Sequence, residues 1–234
     1  MQQLERPIWS PHMSALFFGS ISTVADTSEL QRLAFNEAFR ASGLDWNWDR
    51  ESYREMLATS GGQERVSEYA RSRGESVDAS TVHSRKSEIF QTKLAEATVA
   101  ARAGVVDTIR ATKGKGWKLG LVTTTSSANV SALLDALSPD VQRQDFDVIL
   151  DSASVENAKP DKAAYVLALH YLNETAGDCV AIEDNEDGVR SATSAGLACV
   201  AFPNENTIDG QFASAAQIVD HLDLATLHKL VRGQ

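Results

Sequence analysis

The chain has 234 residues, 43% of them hydrophobic and 23% charged, the make-up of a soluble globular protein with room for one domain, or one domain and a smaller insert. Its net charge of −10 and isoelectric point near 5.0 count against nonspecific nucleic-acid binding but not against a small phosphorylated ligand held by a local lysine and backbone N–H groups. No apolar run approaches the ~20 residues of a membrane span, so no membrane partner is expected, and Cys179 and Cys199, in apolar strand-like runs without metal-type spacing, read as buried reduced thiols of a cytoplasmic protein.

Residues 1–12 carry Glu5, Arg6, Pro7 and Pro11. They do not resemble a signal peptide and read as an N-terminal extension. Ala15-Leu16-Phe17-Phe18 predicts a strand, stopped by a turn at Gly19-Ser20-Ile21-Ser22. Leu30, Ala34, Phe35, Ala38 and Phe39 then fall on one helical face that Gly43 closes. From about residue 45 to 102 only helical periodicity is present. Asp49 can cap a short helix bearing Tyr53, Met56 and Leu57. Ser60-Gly61-Gly62 breaks the chain, residues 63–73 are helical, and a longer helix spans about residues 79–101.

Beyond Gly104 helices and strands alternate. Helices are expected at 105–112, 127–137, 161–172, 189–195 (opened by Gly188 and closed by Gly196) and 224–231, and strands at 118–123, 147–150, 179–182, 198–202 and about 218–219. Repeated βα units predict a doubly wound parallel sheet with helices on both faces. Ligands of such sheets sit at the carboxyl ends of the strands. Three polar groups converge there. The apolar run Cys179–Ile182 leads into Glu183 and Asp184, hard oxygen donors suited to Mg²⁺, although acids at a helix start also serve as caps. Val122 leads into Thr123-Thr124-Thr125-Ser126, whose hydroxyls and N–H groups suit a phosphate or, read alone, a helix cap. Lys159 precedes Pro160, which suits a first helical turn and holds Lys159 extended. Together they suggest a Mg²⁺-assisted phosphate site.

Thr123, Lys159-Pro160 and Glu183-Asp184-Asn185-x-x-Gly188 stand in the order and context of the haloacid dehalogenase superfamily. Ala25-Asp26-Thr27-Ser28-Glu29-Leu30, Ala34-Phe35-Asn36, Gly43-Leu44-Asp45-Trp46, Gly61-Gly62-Gln63-Glu64-Arg65 and Val122-Thr123-Thr124-Thr125-Ser126 resemble its β-phosphoglucomutase-like branch, in particular the CbbY-like sugar-phosphate phosphatases. The resemblance runs from about Ser14 to Phe202. It implies a core of residues 13–28 and 103–234 and a helical cap of residues 29–102. It also implies Mg²⁺, a small phosphorylated sugar as partner, phosphate contacts at Thr123, Thr124 and Lys159, metal contacts at Glu183 and Asp184, and substrate contacts in the cap at Glu29, Gly61, Gly62 and Arg65. His83 and Lys86 match the pattern too, but read as a partly exposed polar helix face. A monomer or small homo-oligomer fits this class.

The chain departs from the family at its first motif. The family's Asp-x-Asp-Gly aligns with Gly19-Ser20-Ile21-Ser22. Gly19 stands at the nucleophile position and Ile21 at the acid/base position, and neither side chain can perform that chemistry. Ordinary aspartyl-phosphate catalysis is therefore not expected. The metal site is weakened as well, because the family's nucleophile is a Mg²⁺ ligand, so Mg²⁺ is expected to bind weakly or not at all. Lys159 is then free to pair with Asp184. Asp26, Ser20 and Ser22 are the alternative nucleophiles, and Ser20 should point away from the side-chain direction of Gly19. The rival reading is a noncatalytic relative that binds a phosphometabolite or a protein partner. Where related sequences carry Lys after Gly-Gly, Gln63 stands here, which counts against a bisphosphate.

Overall fold

The computed structural model describes residues 13–57 and 61–231; the 1–12 extension and Ser60 lie outside them. Six parallel strands form one sheet: β1 Ala15–Phe18, β2 Lys118–Val122, β3 Val148–Leu150, β4 Cys179–Glu183, β5 Ala198–Ala201 and β6 Gln217–Ile218, in the order β3-β2-β1-β4-β5-β6. The chain winds from β1 out to β3 and returns to the other side of β1 at β4. The β1/β4 boundary is thus the switch point at which such sheets open a crevice. Phe18 pairs with Ile182, which sets Gly19 beside Glu183 at that crevice.

Alternation along β1 divides the core. Leu16 and Phe18 face one cluster with Val105, Ile109, Val130 and Leu133, from helices α6 Val105–Gly114 and α7 Ser127–Leu137. Ala15 and Phe17 face the other, with Tyr165 and Ala168 of α8 Ala163–Leu172 and Val189 and Ala192 of α9 Glu186–Ser194. α10 Leu224–His228 closes the described chain. The helices between β1 and β2 are α1 Ile21–Val24, α2 Ser28–Ala41, α3 Arg50–Met56, α4 Gly62–Arg73 and α5 Ala79–Glu96. They have their own aromatic core, in which Trp48 lies 4.8 Å from Phe35 and 4.6 Å from Phe39 between ring centroids. Among the described residues no helix is long and apolar enough to cross a membrane.

Four expectations are corrected, each at a hydrogen bond that fixes the chain there. Residues 20–22 do not merely turn, because the Ser20 side chain accepts from Thr23 N and starts α1. The long helix ends at Glu96, not near 101, since the chain must return to the sheet, where Arg102 N donates to Val24 O. Asn185 rather than Glu183 or Asp184 caps α9, which starts two residues before Gly188. Pro160 lies outside the first turn of α8, which begins at Ala163 with Asp161 accepting from its N–H.

Phe17 is buried between the sheet and α8 and meets Tyr165 edge to face at 6.1 Å. Phe17→Ala is expected to cost about 3–5 kcal/mol through loss of burial and the cavity left behind, read as a lower urea midpoint with an unchanged slope.

Candidate functional site

The carboxyl edge of the sheet and the helices between β1 and β2 enclose a cavity of about 660 Å³. Ser20, Ile21, Thr123, Thr124, Lys159 and Asp184 border it from the sheet side, and Gly61, Gly62, Arg65, His83 and Lys86 from the helical side. Glu29 does not border it. It accepts from Arg32 and, at 3.5 Å, from Asn206, and those bonds with the Arg32 charge lower its pKa against the effect of burial.

Glu183 ends β4 with no exposed surface. Its Oε1 accepts from Lys159 Nζ at 2.7 Å and from the Tyr165 hydroxyl at 2.6 Å. A Cβ at Gly19 would overlap this carboxyl group, and so would a Cβ at Gly188. Two glycines thus leave the slot that Glu183 fills. Burial raises the Glu183 carboxyl above its ordinary value, opposed first by the Lys159 charge. Burial, and then the Glu183 charge, raise the Tyr165 phenol well above its usual range, so it remains a donor. Glu183 Oε2 is buried with no hydrogen-bond partner among the described residues.

Lys159 therefore pairs with Glu183 and not with Asp184. Its ammonium also donates to Gly19 O and, at 2.7 Å, to Val122 O. Those carbonyls close β1 and β2 on either side of it, and they draw Nζ inward to Glu183.

Asp184 turns to the other side of the strand. Its Oδ1 accepts from Ser20 Oγ at 2.9 Å and Asn185 Nδ2 at 3.0 Å, and its Oδ2 from Asn204 Nδ2 at 2.7 Å. Alternation past β1 carries through one more residue: Gly19 faces Glu183, and Ser20 faces Asp184 and the cavity. Thr123 Oγ1 accepts from Thr125 N, and Ser126 caps α7 through Asn129 N. Ile21, which the family resemblance sets at the acid/base position, is buried and carries only hydrocarbon. Asp26 is exposed and bound to Ser28 N and Oγ and to Glu205 N.

On the helical side, Arg65 donates Nε to Met56 O at 2.9 Å and lies over Tyr53. Burial lowers its pKa. Lys86, only 3% exposed, donates to Gln31 Oε1 at 2.7 Å and lies over Phe35 and Phe90. It is not the partly exposed polar position that helical periodicity predicts. Among the described residues no carboxylate lies within ion-pair distance of it. Burial, reinforced by Arg65, pushes its ammonium down to about 7, and burial with the neighbouring Lys86 charge pushes His83 to about 4.

Tyr165, Asn204 and Gln31 are site residues that sequence reading did not single out. Tyr165 reads as an ordinary apolar position of α8. Asn204 had a signal, the polar run Asn204-Glu205-Asn206-Thr207 after Pro203 at the end of a strand.

The chain belongs to the haloacid dehalogenase-like hydrolase family, whose model matches residues 22–202. The match begins just past Gly19 and Ile21. More narrowly, the chain is 40% identical to protein CbbY of Cereibacter sphaeroides, over 89% of this chain and 92% of that one, and 35% identical to protein CbbY of Rhodobacter capsulatus, over 91% and 95%. The crystal structure of CbbY from Rhodobacter sphaeroides in complex with phosphate superposes with a TM-score of 0.83 at 39% identity, covering 89% of this chain and 94% of that one. A mutant of the same protein is solved in complex with xylulose 1,5-bisphosphate. A putative β-phosphoglucomutase from Thermotoga maritima, 22% identical with a TM-score of 0.66 over 94% of this chain and 97% of that one, shares the fold.

Two outcomes follow from the buried charges. Lys159→Met strands the Glu183 carboxylate and is expected to cost about 3–5 kcal/mol; Lys159→Met combined with Glu183→Gln recovers part of that loss in chemical denaturation. Lys86 behaves in the opposite way. Its folded pKa, about 7, lies below its ordinary 10.5, so between these values the unfolded chain binds the proton more firmly. Stability at this position falls as pH falls from 10.5 to about 7. Lys86→Met is expected to raise stability at neutral pH by about 1 kcal/mol or more, with the gain shrinking toward pH 10.5 in thermal unfolding at each pH.

Proposed function

We propose that this chain binds a small phosphorylated sugar in the cavity between its helical cap, residues 29–102, and its core, and does not turn that ligand over through an aspartyl phosphate. The Glu183 carboxyl group carries this reading. It occupies the space in which a side chain at position 19 would begin, and Lys159 and Tyr165 hold it there.

The alternative nucleophiles are poorly supported. Asp26 lies outside the cavity lining and is committed to Ser28 and Glu205. Ser22 bonds with Thr27 Oγ1. Ser20 borders the cavity, but its Oγ both donates to Asp184 and caps α1. With Ile21 at the acid/base position, the leaving oxygen has no proton donor there, a loss worth ~10²–10⁴ in rate by itself.

The donor set does not suit the Mg²⁺ that the family implies. Glu183 turns inward to Lys159. Of the two carboxylates that the resemblance links to the metal, Asp184 remains, and it already accepts from three neutral donors. Octahedral coordination at 2.0–2.1 Å, the usual Mg²⁺ geometry, would displace Ser20 and Asn204 and still want a second carboxylate.

A phosphorylated sugar is supported by the xylulose 1,5-bisphosphate and phosphate complexes of CbbY from Rhodobacter sphaeroides, together with the cations and hydroxyls of the cavity walls.

The test is phosphate release from xylulose 1,5-bisphosphate and sugar monophosphates with Mg²⁺ present, beside acid quenching and peptide mass analysis. No release above background and no phosphorylated peptide are expected. An acid-labile phosphorylated peptide from the unaltered chain would overturn the reading. Gly19→Asp with Ile21→Asp is expected to gain turnover only to the extent that the new carboxylate displaces Glu183.

A further inference from the structure

Two lysines are buried at the walls of one cavity, and their surroundings are opposite. An ammonium has three N–H donors, and those of Lys159 go to Gly19 O, Val122 O and Glu183. That set suits the charged form, whose nitrogen has no electron pair to share. Lys86 donates to one neutral group, Gln31 Oε1, and its nitrogen lies 4.8 Å and 5.1 Å from the ring centroids of Phe35 and Phe90. Gln31 and Phe35 border the cavity together with Lys86, which sets this nitrogen at the wall.

The charged neighbours of Lys86 work against its proton as well. Arg65 of α4 and His83 of α5 border the same space. Glu88 of α5 borders it too, beyond ion-pair distance of Lys86. From α2 the neutral Gln31 faces the amine, and α7 meets α5 through the neutral pair Asn129 and Gln91. Across the cavity, Asp184 is tied to Ser20, Asn185 and Asn204. A desolvated lysine beside another cation is a common form of activated amine nucleophile. Once deprotonated, the amine can keep one N–H on Gln31 and present its electron pair to the cavity.

We infer that Lys86 is a nucleophilic amine that condenses with the carbonyl group of a small open-chain aldehyde or ketone held in the cavity. Its electron pair attacks the carbonyl carbon, the C=O π pair moves to oxygen, and one proton passes from nitrogen to that oxygen. The carbinolamine then loses its hydroxyl together with the last N–H proton as water, which leaves a C=N bond to Nζ. The balance needs neither oxidant nor reductant. His83 stands one turn earlier on α5 at the same wall. Burial keeps its imidazole neutral, so it can take up and pass on the proton that moves from nitrogen to oxygen. Among sugar phosphates the fitting class is a ketose whose ring-closing hydroxyl is esterified. In xylulose 5-phosphate O5 carries the phosphate, and a ring through any other hydroxyl would be too strained, so the ketone stays open. The inference goes beyond the reading above, because the amine answers to the carbonyl carbon and not to the phosphate.

Borohydride trapping on the full, unaltered chain tests this. The chain is incubated with glyceraldehyde, which carries no phosphate, or with xylulose 5-phosphate, then reduced with sodium borohydride, digested and mapped by mass. Reduction turns the imine into a stable secondary amine on the lysine that formed it. At about pH 8 a lysine of ordinary pKa is almost wholly protonated, so the Lys86 peptide is expected to carry at least about tenfold more adduct than the peptide of exposed Lys162. The Lys86 yield is expected to rise with pH about a midpoint near 7, as the amine loses its proton. Lys86→Arg keeps a cation at the wall and is expected to abolish the adduct, with thermal unfolding to verify that it folds. No adduct with either compound, an adduct on Lys162 as abundant as that on Lys86, or a Lys86 adduct whose yield climbs only toward pH 10.5, the ordinary lysine value, would each overturn the inference. Calorimetric titration with xylulose 5-phosphate, without borohydride, separates the two readings. A chain that traps glyceraldehyde on Lys86 yet shows no heat with the sugar phosphate would uphold this inference and overturn the sugar-phosphate reading.

Discussion

The site depends on one buried ion pair. Lys159 and Glu183 meet at 2.7 Å with side-chain exposures of 3% and 0%, at the switch point of a parallel sheet. Two charges so far from water persist only when geometry and extra hydrogen bonds satisfy them. Here the carbonyls of Gly19 and Val122 and the Tyr165 hydroxyl do so. The space comes from Gly19 and Gly188, neither of which could carry a Cβ without displacing Glu183. At the position that the family resemblance gives to the nucleophile, glycine is thus more than a missing functional group. It is a condition of the packing around it.

This pair also sets the character of the cavity. Once the Lys159 ammonium is satisfied on its inner side, Asp184 is left to neutral donors, and the positive charge of the cavity moves to the cap. Lys86 is held there by packing on Phe35 and Phe90 more than by any charge. Charge distribution in a low-dielectric cleft governs which end of a ligand enters first. Exchanging the charged wall changes ligand choice without a change of fold.

Much of this was legible in the sequence. Alternation and helical spacing give the order of strands and helices, and the βα repeats give the parallel sheet. The order of Thr123, Lys159 and Glu183-Asp184 places the crevice, and the register of Phe17-Phe18 against Asp26-Thr27 exposes Gly19 and Ile21. What was not legible depends on rotamers. Adjacent carboxylates on a strand point to opposite sides, so one of Glu183 and Asp184 had to turn inward, but which of them met Lys159 is decided by the slot between two glycines distant in sequence. Periodicity likewise gives Lys86 a polar helix face and cannot show that Phe35 and Phe90 enclose it. Helix ends failed for a related reason: single side-chain caps at Ser20 and Asn185 outweigh propensity.

The cost of Lys86 bears on the choice between an empty relic and a binding site. Folding alone gives no reason to bury an ammonium whose stem packs on two phenyl rings and whose head finds one neutral amide. Methionine would fill the same space without the desolvation penalty. A cavity with no ligand would therefore be more stable without Lys86. A cavity that receives an anion draws affinity from the same unsatisfied charge, since a group left under-solvated in the free protein is preorganised for a partner. Stability given up at a site is usually given up for function. At the sheet edge the reverse holds: the Lys159 donors are all used, the Asp184 carboxylate has three partners, and little is left to gain from a phosphate. The two ends of one cavity thus answer differently to the same question: at the cap an ammonium lacks a counter-charge, and at the strand tips the ammonium has one.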